Sequence, residues 1–275
     1  NAFYEVLNGT FSEGEILSHD MPEGSFLRSA IACDEYFTDS DPQNAQSQYK
    51  RLHRWIRGDI QNIPLWSKMS FVRKAFAFEN ILRYFLPLSE FLLLLISAFY
   101  GRRISSFCAI LILIYHFRTP ISTALSVFLS GDIHVAARRF QTKMRNLLLN
   151  AFYQSVISIS SIVHEAYYFS DAMLRSFYRM KFSRKKLLEW QVYSPFAKDK
   201  DPVFFFLPSF FLSVLSLFFA KSLLTLSVFL LTLFFPILMS ILSREYIEND
   251  LLKKSDKDKL IDFAKREFLF YKNTI

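Results

Sequence analysis

The sequence predicts an α/β segment followed by an all-α transmembrane domain, and two observations lead to this prediction. Residues 1–80 have the composition of an ordinary soluble protein, whereas apolar residues crowd into 81–129, 147–180 and 203–243. Residues 203–220 and 222–243 carry no charge, and Lys221 alone separates them. A membrane-spanning helix needs about 20 apolar residues, and both runs are of that order. A buried helical hairpin of a large soluble protein is the alternative, and the length of the runs disfavours it.

The first 80 residues show the local pattern of the end of an α/β domain. The pattern predicts a short helix over 22–30 and a strand over 31–38. A further helix is predicted from Ser40-Asp41-Pro42 to Ile60, because a polar cap followed by proline in the first turn is a typical helix start. Pro64 closes that helix. Asp39-Ser40-Asp41 has the letters of a metal-binding D-x-D, but at a helix start it is interpreted as a cap.

The membrane domain is predicted to occupy residues 81–243. Spans are expected at about 81–100, 104–129, 203–220 and 222–243, with Arg118 and Pro120 breaking the second span by a kink. Residues 244–275 turn polar and predict a linker, with the start of a further domain beyond it.

Residues 147–180 have a different pattern, which predicts an amphipathic helix. Polar side chains fall in one narrow stripe at 100° per residue, with apolar residues over the rest of the surface: His164, Tyr168, Asp171, Arg175 and Arg179. Such a pattern is typical of a helix lying in the membrane interface or packing beneath the α/β part.

Charge and cysteine content limit the classes of function. The chain has a net charge of +8, and its basic residues are clustered beside the apolar runs. Basic residues in such positions typically anchor helices to an anionic membrane leaflet. No basic stripe with interleaved aromatic residues runs along one face, so nucleic acid is not an expected partner. Cys33 and Cys108 lie too far apart in the sequence to indicate a disulfide framework or a zinc site. The chain starts without Met or a leader pattern, so we expect an internal fragment of a larger protein.

Two motifs of the polar part carry residues suited to group transfer. Asp20 lies in Leu17-Ser18-His19-Asp20, and Arg51, Arg54 and Trp55 share a face of the predicted helix at i, i+3 and i+4. Guanidinium groups match the oxygens of a diphosphate, and an indole packs on the C–H face of a sugar. A carboxylate in the position of Asp20 is able to act as a general base. Each motif taken alone has a second interpretation. The aspartate is also typical of a helix cap, and the Arg/Trp face is also typical of a solvated surface.

At this point the chain resembles a known family. Membrane-embedded processive glycosyltransferases, such as cellulose and hyaluronan synthases, carry an acidic base motif and then Q-x-x-R-W ahead of their membrane helices. Asp20 matches the base and Arg54-Trp55 the R-W pair, while Arg51 stands where those relatives have Gln. Three longer segments are similar to the cyclic β-1,2-glucan synthases: LSHDMPEG, RLHRWIRGDIQNIPLW and HEAYYFSDAMLRSFYRMKFSRKKLLEW. The resemblance covers most of residues 1–190, and from 203 onward it rests on hydropathy.

The resemblance implies a function that the residues alone do not establish. It implies inverting transfer of glucose from UDP-glucose to a growing β-1,2-glucan, followed by ring closure. Residues 1–80 then form the C-terminal part of a Rossmann-like nucleotide-sugar glycosyltransferase domain. Asp20 is the expected base, and the expected substrate-binding residues are His19, Arg51, Arg54 and Trp55. A divalent metal, Mg²⁺ or Mn²⁺, is expected to bind a D-x-D upstream of this fragment.

Further partners and a location also follow from the resemblance. The missing catalytic half is expected upstream and a phosphorylase-like domain downstream, so the fragment is expected to be inactive alone. The location is the bacterial inner membrane, multi-pass, with the catalytic part facing the cytosol. Arg102-Arg103 then falls on the far side if 81–100 spans fully, against the positive-inside tendency.

Two other functions stay open from the sequence. One is the synthesis of another linear β-linked polysaccharide, cellulose-like or hyaluronan-like. The other is a non-catalytic membrane scaffold or transporter subunit. The transporter version is disfavoured because Lys221 is the only ionisable residue in 203–243.

Overall fold

The structure is a computed structural model that describes residues 17, 23–24, 26, 44–130, 137–188, 202–242, 262 and 265. The regular elements in these ranges are all helical, and no strand occurs among them. The predicted strand over 31–38 lies outside the described residues, so the α/β character of residues 1–80 stays a prediction. Of the predicted helix over 22–30, residues 23, 24 and 26 are described and helical.

Helix α1 spans Ala45–Gln61 and precedes the apolar part of the chain. Its N-terminus is capped by Asn44, whose Oδ1 accepts the Ser47 N–H at 2.8 Å. The start predicted at Ser40-Asp41-Pro42 is wrong for this helix, because Asn44 is extended and caps a helix that begins at Ala45; residues 40–42 themselves lie outside the described residues. The helix ends at Gln61, and a 3-10 helix with Pro64 near its start follows at Ile63–Lys68.

The first membrane region consists of three helices, α2 (Phe71–Ser97), α3 (Arg102–His116) and α4 (Arg118–Ser130). A 3-10 turn at Ala98–Tyr100 and Gly101 connect α2 to α3. Gly101 has φ +87°, a conformation that is costly for a residue with a Cβ atom. Between α3 and α4 the axis bends by 55°.

Three more helices complete the described part of the membrane domain: α5 (Ala137–Tyr178), α6 (Pro202–Leu217) and α7 (Leu223–Leu242). A single π-helical turn, Arg179–Ser183, extends α5. Buried apolar side chains form two clusters. One joins α1 to α2, α5, α6 and α7, and the other lies among α2, α3, α5 and α7.

Three described helices are long and apolar enough to cross a membrane, Phe71–Tyr100, Met144–Ser183 and Leu223–Leu242. The bent pair Arg102–His116 and Arg118–Leu125 meets the same test when it is taken together, and Phe204–Leu217 is a shorter apolar helix. The helix that contains the expected span 81–100 therefore begins ten residues earlier, at Phe71. The helix in the region of the expected span 203–220 is shorter than predicted, because α6 ends at Leu217.

Helix α5 contains residues 147–180, and its placement in the membrane interface stays a prediction. It is contacted by α1, α2, α3, α4, α6 and α7. Part of the polar stripe faces protein: His164 is 1% exposed and contacts Ser209 of α6, while Asp171 contacts α1. Arg175 of the same stripe is exposed. Polar side chains on one stripe can form hydrogen bonds with a neighbouring helix or with water. The helical period of the sequence does not distinguish a stripe that faces protein from one that faces water.

Residues Arg244–Ile275 form a separate unit of the chain. Asp262 and Lys265 are its described residues, and both are helical.

Candidate functional site

Helix α1 carries the predicted Arg/Trp motif and packs on the membrane helices through its opposite face. Tyr49, Ile56 and Ile60 are buried, and they recur at the spacing of one side of a helix. This side contacts α5, α2 and α7. The apolar side of α1 therefore fixes its orientation, and the other side is left accessible.

The accessible side of α1 brings Arg51 and Trp55 together. The Arg51 guanidinium carbon lies 5.0 Å from the centroid of the Trp55 ring, and its Nη2 donates to Gln48 Oε1 at 2.9 Å. Trp55 is 39% exposed, so much of its indole surface is open to a ligand. Arg54 is half-buried on the same helix, three residues after Arg51. The arrangement offers a cation and an aromatic face side by side, as the sequence predicts for Arg51 and Trp55.

The predicted base and its neighbour, Asp20 and His19, lie outside the described residues. Leu17, three positions before Asp20, is described. Its N–H donates to Gln61 Oε1 at 2.9 Å, at the C-terminal end of α1. The backbone that enters the predicted base motif is thus attached to the helix that bears the Arg/Trp motif.

A charged network links α1 to α5 next to the Arg/Trp motif. His53 Nε2 lies 3.1 Å from Asp171 Oδ2, and Arg175 Nε lies 2.7 Å from the same oxygen. An ionised carboxylate can only accept hydrogen bonds, so Nε2 of His53 carries the proton and donates. The two partners are 118 positions apart in the chain, so this contact joins α1 to a distant helix, α5.

His53 is expected to contribute to the pH dependence of stability. Burial lowers the pKa of His53, although the hydrogen bond to Asp171 opposes the shift. Below about pH 6.5, the ordinary pKa of histidine, His53 binds a proton in the unfolded chain more readily than in the folded protein. The free energy of unfolding therefore decreases as the pH falls below that value. The stability that neutral His53 provides is complete above about 6.5.

The measurement is thermal unfolding of the detergent-solubilised protein between pH 5 and 8. We expect the transition temperature of the wild type to decrease below about pH 6.5, and His53→Gln to flatten this decrease. The exposed Arg83→Gln serves as the control and is expected to leave the profile unchanged. An identical acid slope in His53→Gln would contradict the assignment.

A second contact between α1 and α5 is formed by Tyr49 and Glu165. The Tyr49 hydroxyl donates to Glu165 Oε1 at 3.2 Å. Burial raises the pKa of Tyr49 well above its ordinary value, and the Glu165 charge adds to the shift, so the phenol stays protonated. Aromatic rings surround Tyr49 with centroids 4.5–6.5 Å away: His164, Tyr168, Phe205, Phe206 and Phe235. Sequence reasoning missed this anchor, and the polar stripe of α5 was the signal that could have indicated it.

Ionisable residues also pair inside the first membrane region. Glu90 of α2 and His116 of α3 contact each other at 3.1 Å, with 8% and 7% of their side chains exposed. The other ring nitrogen of His116 lies 2.9 Å from Ser158 Oγ on α5. The pair joins three helices that the sequence does not predict to be neighbours.

The described residues include no group of three or more His, Cys, Asp or Glu side chains placed to hold a metal ion.

Comparison with known proteins gives two relatives. The chain is 28% identical to a cyclic beta-(1,2)-glucan synthase of Rhizobium meliloti over 196 residues, which are 70% of this chain and 7% of that protein. It is 37% identical to a glucans biosynthesis glucosyltransferase H of Cupriavidus pinatubonensis over 92 residues, 30% of this chain and 11% of that protein. The resemblance indicated by the motifs is confirmed. No protein-family model matches the chain.

Both relatives are far longer than the region they share with this chain, which spans 7% of the first and 11% of the second. Their names place both proteins in glucan synthesis. The similarity supports glycosyl transfer in glucan biosynthesis as the class of function to propose, and the long apolar helices support a membrane protein.

Proposed function

We propose that this chain is part of an inverting glucosyltransferase that transfers glucose from UDP-glucose to a growing β-1,2-glucan and then closes the ring. The observation that carries the proposal is the Arg51–Trp55 pair on the open face of α1, on a helix anchored to the membrane domain. The similarity to a cyclic glucan synthase supports the choice of polymer.

The proposed reaction is a single displacement at the anomeric carbon of the donor. The Asp20 carboxylate accepts the proton of the attacking 2-hydroxyl as the new C1–O bond forms on the face opposite the leaving group. The bond from C1 to the diphosphate breaks, and UDP departs with the electron pair. Arg51 and Arg54 offset the charge that develops on the diphosphate. Trp55 packs against the acceptor sugar, and His19 contributes to substrate binding.

The remaining parts of the proposal concern what surrounds this chain. Residues 1–80 are the C-terminal part of a Rossmann-like glycosyltransferase domain, residues 81–243 the membrane domain, and 244–275 the connection to a phosphorylase-like domain. The catalytic part faces the cytosol at the bacterial inner membrane, because nucleotide sugars are cytosolic. A divalent metal, when bound upstream of this fragment, neutralises charge on the nucleotide diphosphate.

The proposal is tested in isolated membranes that contain the full-length parent, incubated with labelled UDP-glucose. We expect labelled β-1,2-linked glucan, including cyclic product. Trp55→Ala is expected to lower kcat/KM at least about 10-fold, because it removes an apolar contact of about 1.5–3 kcal/mol. Phe107→Ala, an exposed aromatic residue on α3, is the matched control and is expected to retain wild-type activity.

Two outcomes would contradict the proposal. If Trp55→Ala had wild-type activity, the Trp55 indole would not take part in substrate binding. A product with another linkage would exclude the cyclic β-1,2-glucan assignment while leaving glucosyl transfer in place.

Synthesis of a linear glucan is the second candidate. The printed name of the second relative, a glucans biosynthesis glucosyltransferase H, mentions no ring, so this similarity over 92 residues is also compatible with a linear glucan. Linear product without cyclic product in the same assay would select this function.

A further inference from the structure

The side chain of Gln61 connects two distant parts of the chain at the end of α1. Its Oε1 accepts the N–H of Leu17 at 2.9 Å, and its Nε2 donates to the carbonyl of Leu187 at 3.1 Å. The side chain is buried, with 4% of the residue exposed. A primary amide suits this position because it both donates and accepts, whereas a carboxylate or an ammonium group does only one.

The two connected segments flank the residues proposed for catalysis and carry charge of their own. Leu17 precedes the proposed base Asp20 by three positions. Leu187 follows a turn with three exposed cations, Arg184, Lys185 and Lys186. One amide therefore holds the entry to the base motif and a cationic turn against the helix that bears Arg51 and Trp55.

The cationic turn, Arg184 to Lys186, has an uncommon backbone conformation that hydrogen bonds from neighbouring residues stabilise. Arg184 and Lys186 have φ values of 47° and 57°, in the left-handed region that side chains with a Cβ atom rarely adopt. The Arg184 N–H donates to the Arg179 carbonyl at 2.8 Å, and Arg179 Nη1 donates to the Lys186 carbonyl at 3.0 Å. Arg57 Nη2 donates to the Leu187 carbonyl at 3.4 Å, beside Gln61. Strained backbone of this kind persists where the surroundings hold it in place.

We propose that Gln61 is a positioning residue of the glucosyl-transfer site, which fixes the Leu17 segment and the cationic turn to α1. The inference rests on the proposed function. The acceptor oxygen of Gln61 positions the segment that leads to Asp20, so loss of this oxygen lowers kcat. Its donor nitrogen positions cations that attract the diphosphate of the donor sugar, so its loss acts on the KM for UDP-glucose.

Three substitutions in the full-length parent separate the two contacts. Gln61→Leu removes both hydrogen bonds. Gln61→Glu keeps an acceptor for the Leu17 N–H but places a carboxylate oxygen against the Leu187 carbonyl. Gln61→Lys keeps a donor for Leu187 and loses the acceptor for Leu17. Ser67→Ala is the matched control, because it removes a local hydrogen bond to the Pro64 carbonyl just beyond α1.

Two readouts are combined, the kinetics with labelled UDP-glucose and the rate of trypsin cleavage after residues 184–186, mapped by mass spectrometry. For Gln61→Glu we expect cleavage about 10-fold faster and KM about 10-fold higher. For Gln61→Lys we expect unchanged cleavage and kcat about 10-fold lower. Gln61→Leu is expected to combine both effects, and Ser67→Ala to show neither.

Wild-type cleavage and wild-type kinetics in Gln61→Leu would overturn the inference. So would faster cleavage at sites throughout the chain, because that result means general unfolding. If the parent transfers no glucose at all, the proposed function fails, and the cleavage rates still decide whether Gln61 holds the turn. If the parent is active and the Gln61 variants match it, the proposed function stands without this residue.

Discussion

Replacing Asp20 with asparagine in the full-length parent is expected to lower glucosyl transfer at least about 100-fold. Asparagine has nearly the same shape, but its amide does not take a proton from the attacking hydroxyl. General-base catalysis typically contributes about 10²–10⁴-fold. The measurement is incorporation of label from UDP-glucose into glucan, with product linkage and ring closure analysed and the amount of enzyme in the membranes matched.

Asp39→Asn is the matched control for this substitution. Asp39 lies in the same polar part of the sequence and has no proposed role in substrate binding or proton transfer. We expect this variant to retain most of the activity, since a substitution away from the site changes stability by only about 0.5 kcal/mol. Undiminished synthesis by Asp20→Asn would mean that Asp20 is itself a cap, and that another residue serves as the base.

Removing one partner of the Glu90–His116 pair is expected to produce the largest loss of stability. Glu90→Leu leaves His116 Nε2 without its hydrogen-bond partner in a buried site, and a buried polar group left unpaired typically costs about 1–3 kcal/mol, and more when it is charged. The free energy of unfolding is measured by titrating the protein in lipid–detergent mixed micelles with SDS and following tryptophan fluorescence.

Two further variants complete this test. Glu79→Leu is the matched control, because Glu79 lies on the same helix in an exposed ion pair with Arg83 at 4.0 Å, and such pairs contribute at most about 1 kcal/mol. The double variant Glu90→Leu with His116→Phe is expected to recover much of the loss, because replacing both partners by apolar groups is often neutral or stabilising. Equal losses for Glu79→Leu and Glu90→Leu would contradict a buried pair that stabilises the helices.

Local patterns determined most of what was predicted correctly about the membrane domain. Uncharged runs such as 222–243 have the length of a span whatever they pack against, and the structure has a helix at Leu223–Leu242. The Arg51 and Trp55 side chains meet because a helix places i and i+4 on one side. The similarity to glucan synthases was also evident from contiguous motifs, and the comparisons agree with it.

Helix partners were decided by the tertiary structure. The period of residues 147–180 identifies a polar stripe, but it does not say whether water or another helix faces that stripe. The structure places His53 against Asp171, and Tyr49 against His164 and Tyr168, so part of the stripe faces α1. Contacts between residues more than 100 positions apart depend on how whole helices pack. For the same reason the roles of Gln61 and of the Glu90–His116 pair follow from the tertiary structure, since each residue looks ordinary within its own segment of sequence.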